Sequence, residues 1–407
     1  MLFVLFWVVL SGDDKDDSAT APTTTFTPEW VDEGFVLGEV EPCRSPEPTE
    51  REMVGFPIST ERLPAKGNVH VAVLFVDFPD ANAQSGQGDT AGEYNPTTED
   101  AFFSEISEAE AYLEAMSYGA LNLTFWPLHE WLRMSDTHSS YSDEKHALVA
   151  EAIALADHEF AFERIDSVVV VTDPRAESLH PSSAPLWGGS GSFGEYGQTI
   201  LQNSVLLIPL EPDQAGWGGS ATAHELGHNF GLPDLYDTNV EPDSDGYGTP
   251  DGMRFVGNFD IMGAGSYEKF TSNEMFAWSR WQLGWIHDAQ IACIGSFPAS
   301  VQIAPVAASA GTKAAVVPLT ETTALVVESR RRLGYDLDLQ GEGALVYTVD
   351  STVESGDGPI VVRGTSLDDW PDASVLLEAG ETLTVDGYTV TVEEATPEAD
   401  FIKISAP

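Results

Sequence analysis

The chain has 407 residues, with 66 Asp and Glu against 18 Lys and Arg, for a formal charge of −48. Protein affinity for phosphate backbones comes largely from cations, so a chain this anionic excludes nucleic acid as a partner. Apolar residues make up 42% of the sequence, including 20 Phe, 11 Tyr and 10 Trp, which is ample for a buried core.

Residues 2–10, LFVLFWVVL, form an apolar run too short to span a bilayer and suited to the core of a signal peptide. Residues 1–12 are therefore the candidate signal, no stable membrane span is expected, and the protein is expected to be secreted, where salt or calcium screens its charge. Residues 13–62 begin DDKDDSATAPTTTFTPE and read as a linker or propeptide-like segment. A domain is expected over residues 63–296. It opens on VHVAVLFVDF from Val69, a continuous β-branched run that predicts a strand buried on both faces. PTTEDAFFSEISEAEAYLEAMSYG then predicts a helix stopping at Gly119, LNLTFWPLHEWL a strand, and DEKHALVAEAIALADHEF a second helix. DSVVVVTD predicts another buried strand, GGSGSFGEYG at 188–197 a flexible loop, and SVLLIPL a short strand. The fold class expected here is α/β or α+β, and α/β is the one carried forward. Over residues 297–407 the pattern changes to short apolar runs between turn signals, from VQIAPV to TVTVEE, with Asp386-Gly387 as a hairpin pair. That pattern predicts an all-β sandwich-like C-terminal domain.

The chemistry lies between Ala221 and Trp285. ATAHELGHNFGLPDLYD contains His224-Glu225-x-x-His228, and helical residues i and i+4 share a face, so both imidazoles can converge on one metal ion. Glu225 follows the first ligand and stands where a general base for an activated water belongs. Gly231, three residues after His228, permits an abrupt helix end in the left-handed conformation, and Pro233 disfavours helix at Leu232. The returning chain then offers Asp234 as a third, oxygen ligand. Two imidazoles and a carboxylate leave a fourth position open, which is the catalytic arrangement rather than the structural one.

HELGHNFGLPD resembles the extended zinc motif of the metzincins, in the variant with Asp as third ligand. Asp260-Ile261-Met262-Gly263 supplies a candidate for the Met-containing turn that the resemblance implies beneath the metal. GLPDLYD, DIMG, AWSRWQLGWI and RLPAKGNVHVAVLFVDFPD together resemble the immune inhibitor A family of secreted metallopeptidases, over roughly residues 62–290. The resemblance implies an α/β zincin catalytic domain and a Zn2+-dependent endopeptidase acting on protein or peptide substrates. Tyr267 is a candidate oxyanion donor, against an ordinary packed tyrosine. An exported binding or adhesion module with a structural metal site is the alternative from a different class.

Other assignments stay open in the sequence. Asn273-Glu274 matches the gluzincin pattern, in which a Glu on a later helix completes the metal site instead of Asp234. The stretch DTNVEPDSDGYGTPD offers Asp237, Asp243, Asp245 and Asp251 as candidate Ca2+ ligands, against a solvated acidic loop, and it fits no EF-hand register. Cys43 and Cys293 are the two cysteines; a disulfide is the default for an exported chain, and a Cys43 thiolate occupying the open metal position is the alternative. Arg330-Arg331-Arg332 reads as surface residues paired with nearby carboxylates, against a recognition patch, and Trp278, Trp281 and Trp285 read as core residues on one helix, against the wall of a substrate pocket.

Overall fold

The computed structural model describes residues 32–46, 53–58, 62–81, 99–158, 161–173, 176–179, 187–190, 203–207, 217–240, 251–263, 274–364 and 375–407. All of them belong to one unit, Asp32–Pro407. The candidate signal at 1–12, Asp243, Asp245, Tyr267 and Asn273 lie outside the described residues. The architecture is mixed α/β, with several sheets and few helices.

The run from Val69 forms β1 (Gly67–Asp77), the second strand of a five-stranded sheet. Its neighbours are β2 (Leu121–Arg133), β3 (Ser167–Thr172), β4 (Trp187–Ser190) and β5 (Asn203–Leu207), in the order β2-β1-β3-β5-β4. The first four in that order run parallel, and β4 pairs antiparallel with β5 at the edge. Side chains alternate across a strand, so β1 feeds two cores at once. Val69, Val71, Val73 and Phe75 join one core, which also holds α1 (Glu99–Met116) through Tyr112 and Leu113 and α3 (Trp217–Phe230) through Leu226 and Phe230. Ala72, Leu74 and Val76 join the other, with Leu148, Val149, Ala152 and Ile153 of α2 (Lys145–Ala156). The predicted loop at 188–197 differs at its start, because Gly188, Gly189 and Ser190 pair with β5 as an edge strand. Glycine carries no β-propensity, so this pairing is dictated by the neighbouring strand rather than by local preference.

The C-terminal region contains a six-stranded sheet along β11-β10-β9-β8-β6, formed by β6 (Ile291–Cys293), β8 (Ala314–Pro318), β9 (Thr323–Arg330), β10 (Gly343–Asp350) and β11 (Ile360–Arg363), with β12 (Leu376–Leu377) also paired to β10. A four-stranded sheet follows in the order β13-β14-β15-β7, from β7 (Ala299–Ile303), β13 (Thr382–Val385), β14 (Tyr388–Thr396) and β15 (Ala399–Ser405). The Asp386-Gly387 hairpin joins β13 and β14, which pair through Val385 and Tyr388. One face of the six-stranded sheet, with Ala315, Val317, Leu325, Val327 and Val346, packs on the four-stranded sheet through Val301, Val390 and Ile402. Its other face presents Val316, Val326, Leu345 and Tyr347 to the core that also contains α1, α3 and α4 (Ala277–Gln282). A single apolar cluster therefore runs from β1 to β10, and the C-terminal sheet forms a wall of the core that supports α3.

Within residues 13–62, the described parts are packed. Glu33 exchanges backbone hydrogen bonds with Ser300 at the edge of β7, and Val40, Cys43 and Val54 are buried. Indole N–H groups of Trp278 and Trp285 donate to the carbonyls of Val54 and Ala65, and Phe56 lies against Trp278 and Trp281. The three tryptophans thus serve the core, and hold the N-terminal segment against it. Cys43 and Cys293 form a disulfide with Cα atoms 5.8 Å apart across 250 residues of sequence. By loop-closure entropy a link of that span stabilises the fold by about 5–6 kcal/mol.

The Arg triplet departs from expectation. Arg330 is fully buried and Arg331 nearly so, and only Arg332 is exposed. Arg330 pairs with Glu328 at 2.6 Å and Asp336 at 2.9 Å, and Arg331 pairs with Asp400 at 2.6 Å. The pairing was foreseen; the burial was not, because buried guanidinium groups are tolerated only with fully formed partners that are scattered in sequence.

Candidate metal centre

Helix α3 carries His224, Glu225 and His228, and it ends where the sequence places Gly231. Gly231 takes a φ of +105°, its N–H donates to His228 O at 2.9 Å, and the Leu232 N–H donates to Gly227 O at 3.0 Å. These two bonds define a Schellman stop, which reverses the chain and brings Asp234 back over the helix. A Cβ on Gly231 would also press on Ile58 and Arg62.

The imidazoles are oriented by main-chain carbonyls. His224 Nδ1 lies 2.8 Å from Ile261 O, and His228 Nδ1 lies 2.8 Å from Leu232 O. A carbonyl can only accept, so each ring carries a proton on Nδ1, which leaves Nε2 facing the centre as the atom that would bind a metal. Both Nε2 atoms lie 3.2 Å from Asp234 Oδ1. Ligands of a tetrahedral ion at 2.0–2.1 Å stand roughly 3.3 Å from each other, and both histidine–carboxylate distances match that spacing. Glu225 Oε1 is further away, 4.0 Å from His224 Nε2. Among the described residues, His224, Glu225 and His228 form the group able to hold a metal ion. His224 and Glu225 are buried, while 21% of the Asp234 side chain is exposed, which leaves the centre open on that side.

Burial pushes the Glu225 carboxyl above its ordinary value, with the two imidazoles opposing in part. At His228 burial disfavours the imidazolium, yet the adjacent Asp234 carboxylate outweighs it and raises the pKa to about 10. Burial likewise opposes charge on Asp234, but the imidazoles hold its carboxyl well below the usual range. The metal-free centre thus stores a proton between His228 and Asp234, which a metal ion must displace to bind.

Met262 lies under α3. Its Sδ would stand 2.6 Å from a Cβ on Gly227, so the helix can approach only because that residue is glycine. The turn is fixed by Asp260, whose Oδ1 accepts the Met262 N–H at 2.9 Å and whose Oδ2 accepts the Phe276 N–H at 2.7 Å. Burial lifts the Asp260 pKa to about 6. The turn also returns support to the ligands: Ile261 O holds His224, and Met262 O accepts the Leu235 N–H at 2.9 Å. Asn229 secures the other side of the helix, its Oδ1 accepting from Ser167 Oγ at 3.0 Å and its main-chain carbonyl from Leu63 N.

The remaining site candidates are placed as follows. Glu274 is buried, with one carboxylate oxygen accepting the Tyr335 N–H and the other paired to Arg280. Its oxygens are therefore committed to a different cluster. Of the candidate calcium ligands, Asp237 is buried, paired with Arg254 and accepting the Asn239 N–H, and Asp251 is exposed. Both cysteine sulfurs are consumed in the disulfide, which removes the Cys43 thiolate as an occupant of the open position.

Asp260 was read only as part of the Met-containing turn; its capping role escaped the sequence reading, although an aspartate two residues before the turn methionine is a recognisable turn-capping signal. Ser355 and Gly356 escaped it entirely. The Asp234 N–H donates to Ser355 Oγ at 2.8 Å, and Asp234 O accepts the Gly356 N–H at 3.0 Å, across 121 residues of sequence that give no hint of the contact. The class that fold and site define is thus a mixed α/β protein with a buried His-Glu-His group able to bind a metal ion. No family model matches the chain, and no curated protein matches it.

Proposed function

We propose that this protein is a secreted zinc-dependent endopeptidase with a metzincin-like catalytic domain, similar to the immune inhibitor A family. The observation that carries the proposal is the equal 3.2 Å approach of His224 Nε2 and His228 Nε2 to Asp234 Oδ1, with Glu225 set just outside the triad. Two imidazoles, one carboxylate and an open side suit zinc better than calcium or magnesium, which take oxygen ligands. Zinc held there supplies Lewis acidity toward a scissile carbonyl and a water.

Glu225 then acts as the proton carrier. It removes a proton from the attacking water and delivers it to the leaving amine, and burial raises its affinity for that proton. Bonds from Ile261 O and Leu232 O keep both imidazoles facing the reaction, and no side chain becomes covalently attached to substrate. Among the described residues β4 is the edge strand of its sheet, paired to β5 and beside α3, and an extended peptide can lie along its outer edge. The disulfide and the acidic composition support the secreted assignment. The placement of a buried base beside the triad favours catalysis over a purely structural metal.

The test is cleavage of casein and of a fluorogenic peptide library by protein purified with zinc. Cleavage abolished by a zinc chelator and restored by added zinc is expected. Stoichiometric zinc with no cleavage across the library would instead assign the chain to the binding or adhesion class.

A further inference from the structure

The C-terminal region meets the metal centre at the loop from Ser351 to Pro359 between β10 and β11. The loop is internally braced: Asp350 Oδ1 accepts the Thr352 N–H at 2.9 Å and the Thr352 hydroxyl at 2.7 Å, Asp350 N donates to Pro359 O at 2.9 Å, and Ser351 N donates to Thr322 O at 2.9 Å. From this frame Ser355 Oγ accepts the Asp234 N–H at 2.8 Å, while Gly356 N donates to Asp234 O at 3.0 Å. Both main-chain groups of the third ligand are therefore bound by two consecutive residues of the loop.

The contact continues beyond Asp234. Thr238 N donates to Gly356 O at 3.1 Å, and Asn239 Nδ2 donates to Asp357 Oδ1 at 2.7 Å. Gly356 has a φ of +78°, and a Cβ there would collide with Thr238 Oγ1, so the approach needs glycine on both counts. At the far end of the loop, Val362 N donates to Phe255 O at 2.8 Å, and the neighbouring Arg254 pairs with Asp237.

Asp234 sits four residues past the end of α3, in a stretch without regular secondary structure. The helix fixes the two histidines but cannot fix this residue. We infer that Ser355, with Gly356, is a positioning residue for the third metal ligand, so that the C-terminal β region forms part of the metal centre rather than an appended module. This inference rests on the metal-site reading above and adds to it a role for the β10–β11 loop.

The experiment compares wild-type protein with Ser355→Ala and Ser355→Thr, measuring zinc affinity by chelator competition, thermal unfolding of the metal-free form, and kcat and KM on a fluorogenic peptide. Supporting groups one step removed from a metal change its affinity by about 10- to 100-fold. Ser355→Ala is expected to bind zinc about tenfold more weakly while the metal-free form unfolds at the wild-type temperature, and Ser355→Thr, which keeps the hydroxyl, to recover the affinity. In peptide assays at limiting zinc, Ser355→Ala should lose kcat in proportion to its lost metal, with KM unchanged. Wild-type zinc affinity in Ser355→Ala would overturn the inference. So would an equal loss in both variants accompanied by a lower unfolding temperature of the metal-free protein, which marks a structural role alone. If no variant cleaves peptide but the affinity pattern holds, the peptidase assignment falls and the positioning role stands.

Discussion

Replacing Glu225 by Gln is expected to reduce kcat/KM for peptide cleavage by at least about 1,000-fold while leaving bound zinc stoichiometric, since positioned general acid–base groups contribute about 100- to 10,000-fold. On the proposed reading the two effects separate, because Glu225 acts on the water and Asp234 completes the ligand set. Its Oε1 lies 4.0 Å from His224 Nε2, against 3.2 Å for Asp234 Oδ1. Glutamine keeps the shape of the side chain, so the packing of α3 is undisturbed, but an amide can neither remove a proton from water nor return one to the leaving amine. Steady-state kinetics with metal analysis of the same preparation measures both quantities. Wild-type turnover in Glu225→Gln would eliminate the proposed proton transfer, and loss of zinc would show that Glu225 is itself a ligand.

The largest expected effect on stability lies away from the metal, at Arg330. This side chain is fully buried, and it bonds Glu328, Asp336 and the main-chain carbonyls of Glu274 and Phe259. Removing one partner of a buried ion pair costs about 3–5 kcal/mol, because the remaining charge is left without compensation. Arg330→Met should therefore destabilise the protein by about that amount at neutral pH. Burial already raises the Asp336 pKa, with Arg330 opposing the rise. Without Arg330 the folded-state pKa moves higher still, while the unfolded value stays ordinary. The folded form then holds more protons than the unfolded form at mildly acidic pH, so the penalty should shrink as pH falls. Urea unfolding of wild type and variant at neutral and mildly acidic pH measures this difference. An equal penalty at both pH values would show that lost packing, not lost charge compensation, is responsible. Neutralising the partners as well, with Glu328→Gln and Asp336→Asn, should restore part of the stability.

The parts of this structure that were legible in the sequence are those whose determinants are local. β1 follows from an uninterrupted apolar run that no amphipathic surface strand would show, and its two-sided burial is what that run requires. His224, Glu225 and His228 follow from helical periodicity, and the reversal that returns Asp234 follows from Gly231, the residue that adopts a φ of +105° there. The disulfide was legible because a chain with two cysteines has one pairing available.

What could not be read depends on partners brought together by the fold. Arg330 sits in a basic triplet that looks like solvated surface, and nothing nearby announces that Glu274, Phe259 and Asp336 will enclose it. Gly188 and Gly189 have loop composition, and they form a strand because β5 offers them a free edge. β15 was passed over since DFIKIS mixes charged and apolar residues, yet its alternation is what a strand buried on one face needs: Ile402 and Ile404 face the sandwich core while Lys403 points away. Glu274 resembled a metal ligand on sequence grounds alone, and in the fold it neutralises Arg280 instead. Support for the site from Asp260 and Ser355 also arrives through tertiary contacts, to Phe276 in one case and to Asp234 in the other.

The identity of the third ligand is the point on which the account turns, and the zinc content of two variants after dialysis against a weak chelator tests it most directly. Asp234→Ala should lose zinc, whereas Glu274→Gln, which alters a residue committed to Arg280 and Tyr335, should retain one zinc per chain. Retention by Asp234→Ala together with loss from Glu274→Gln would contradict the account.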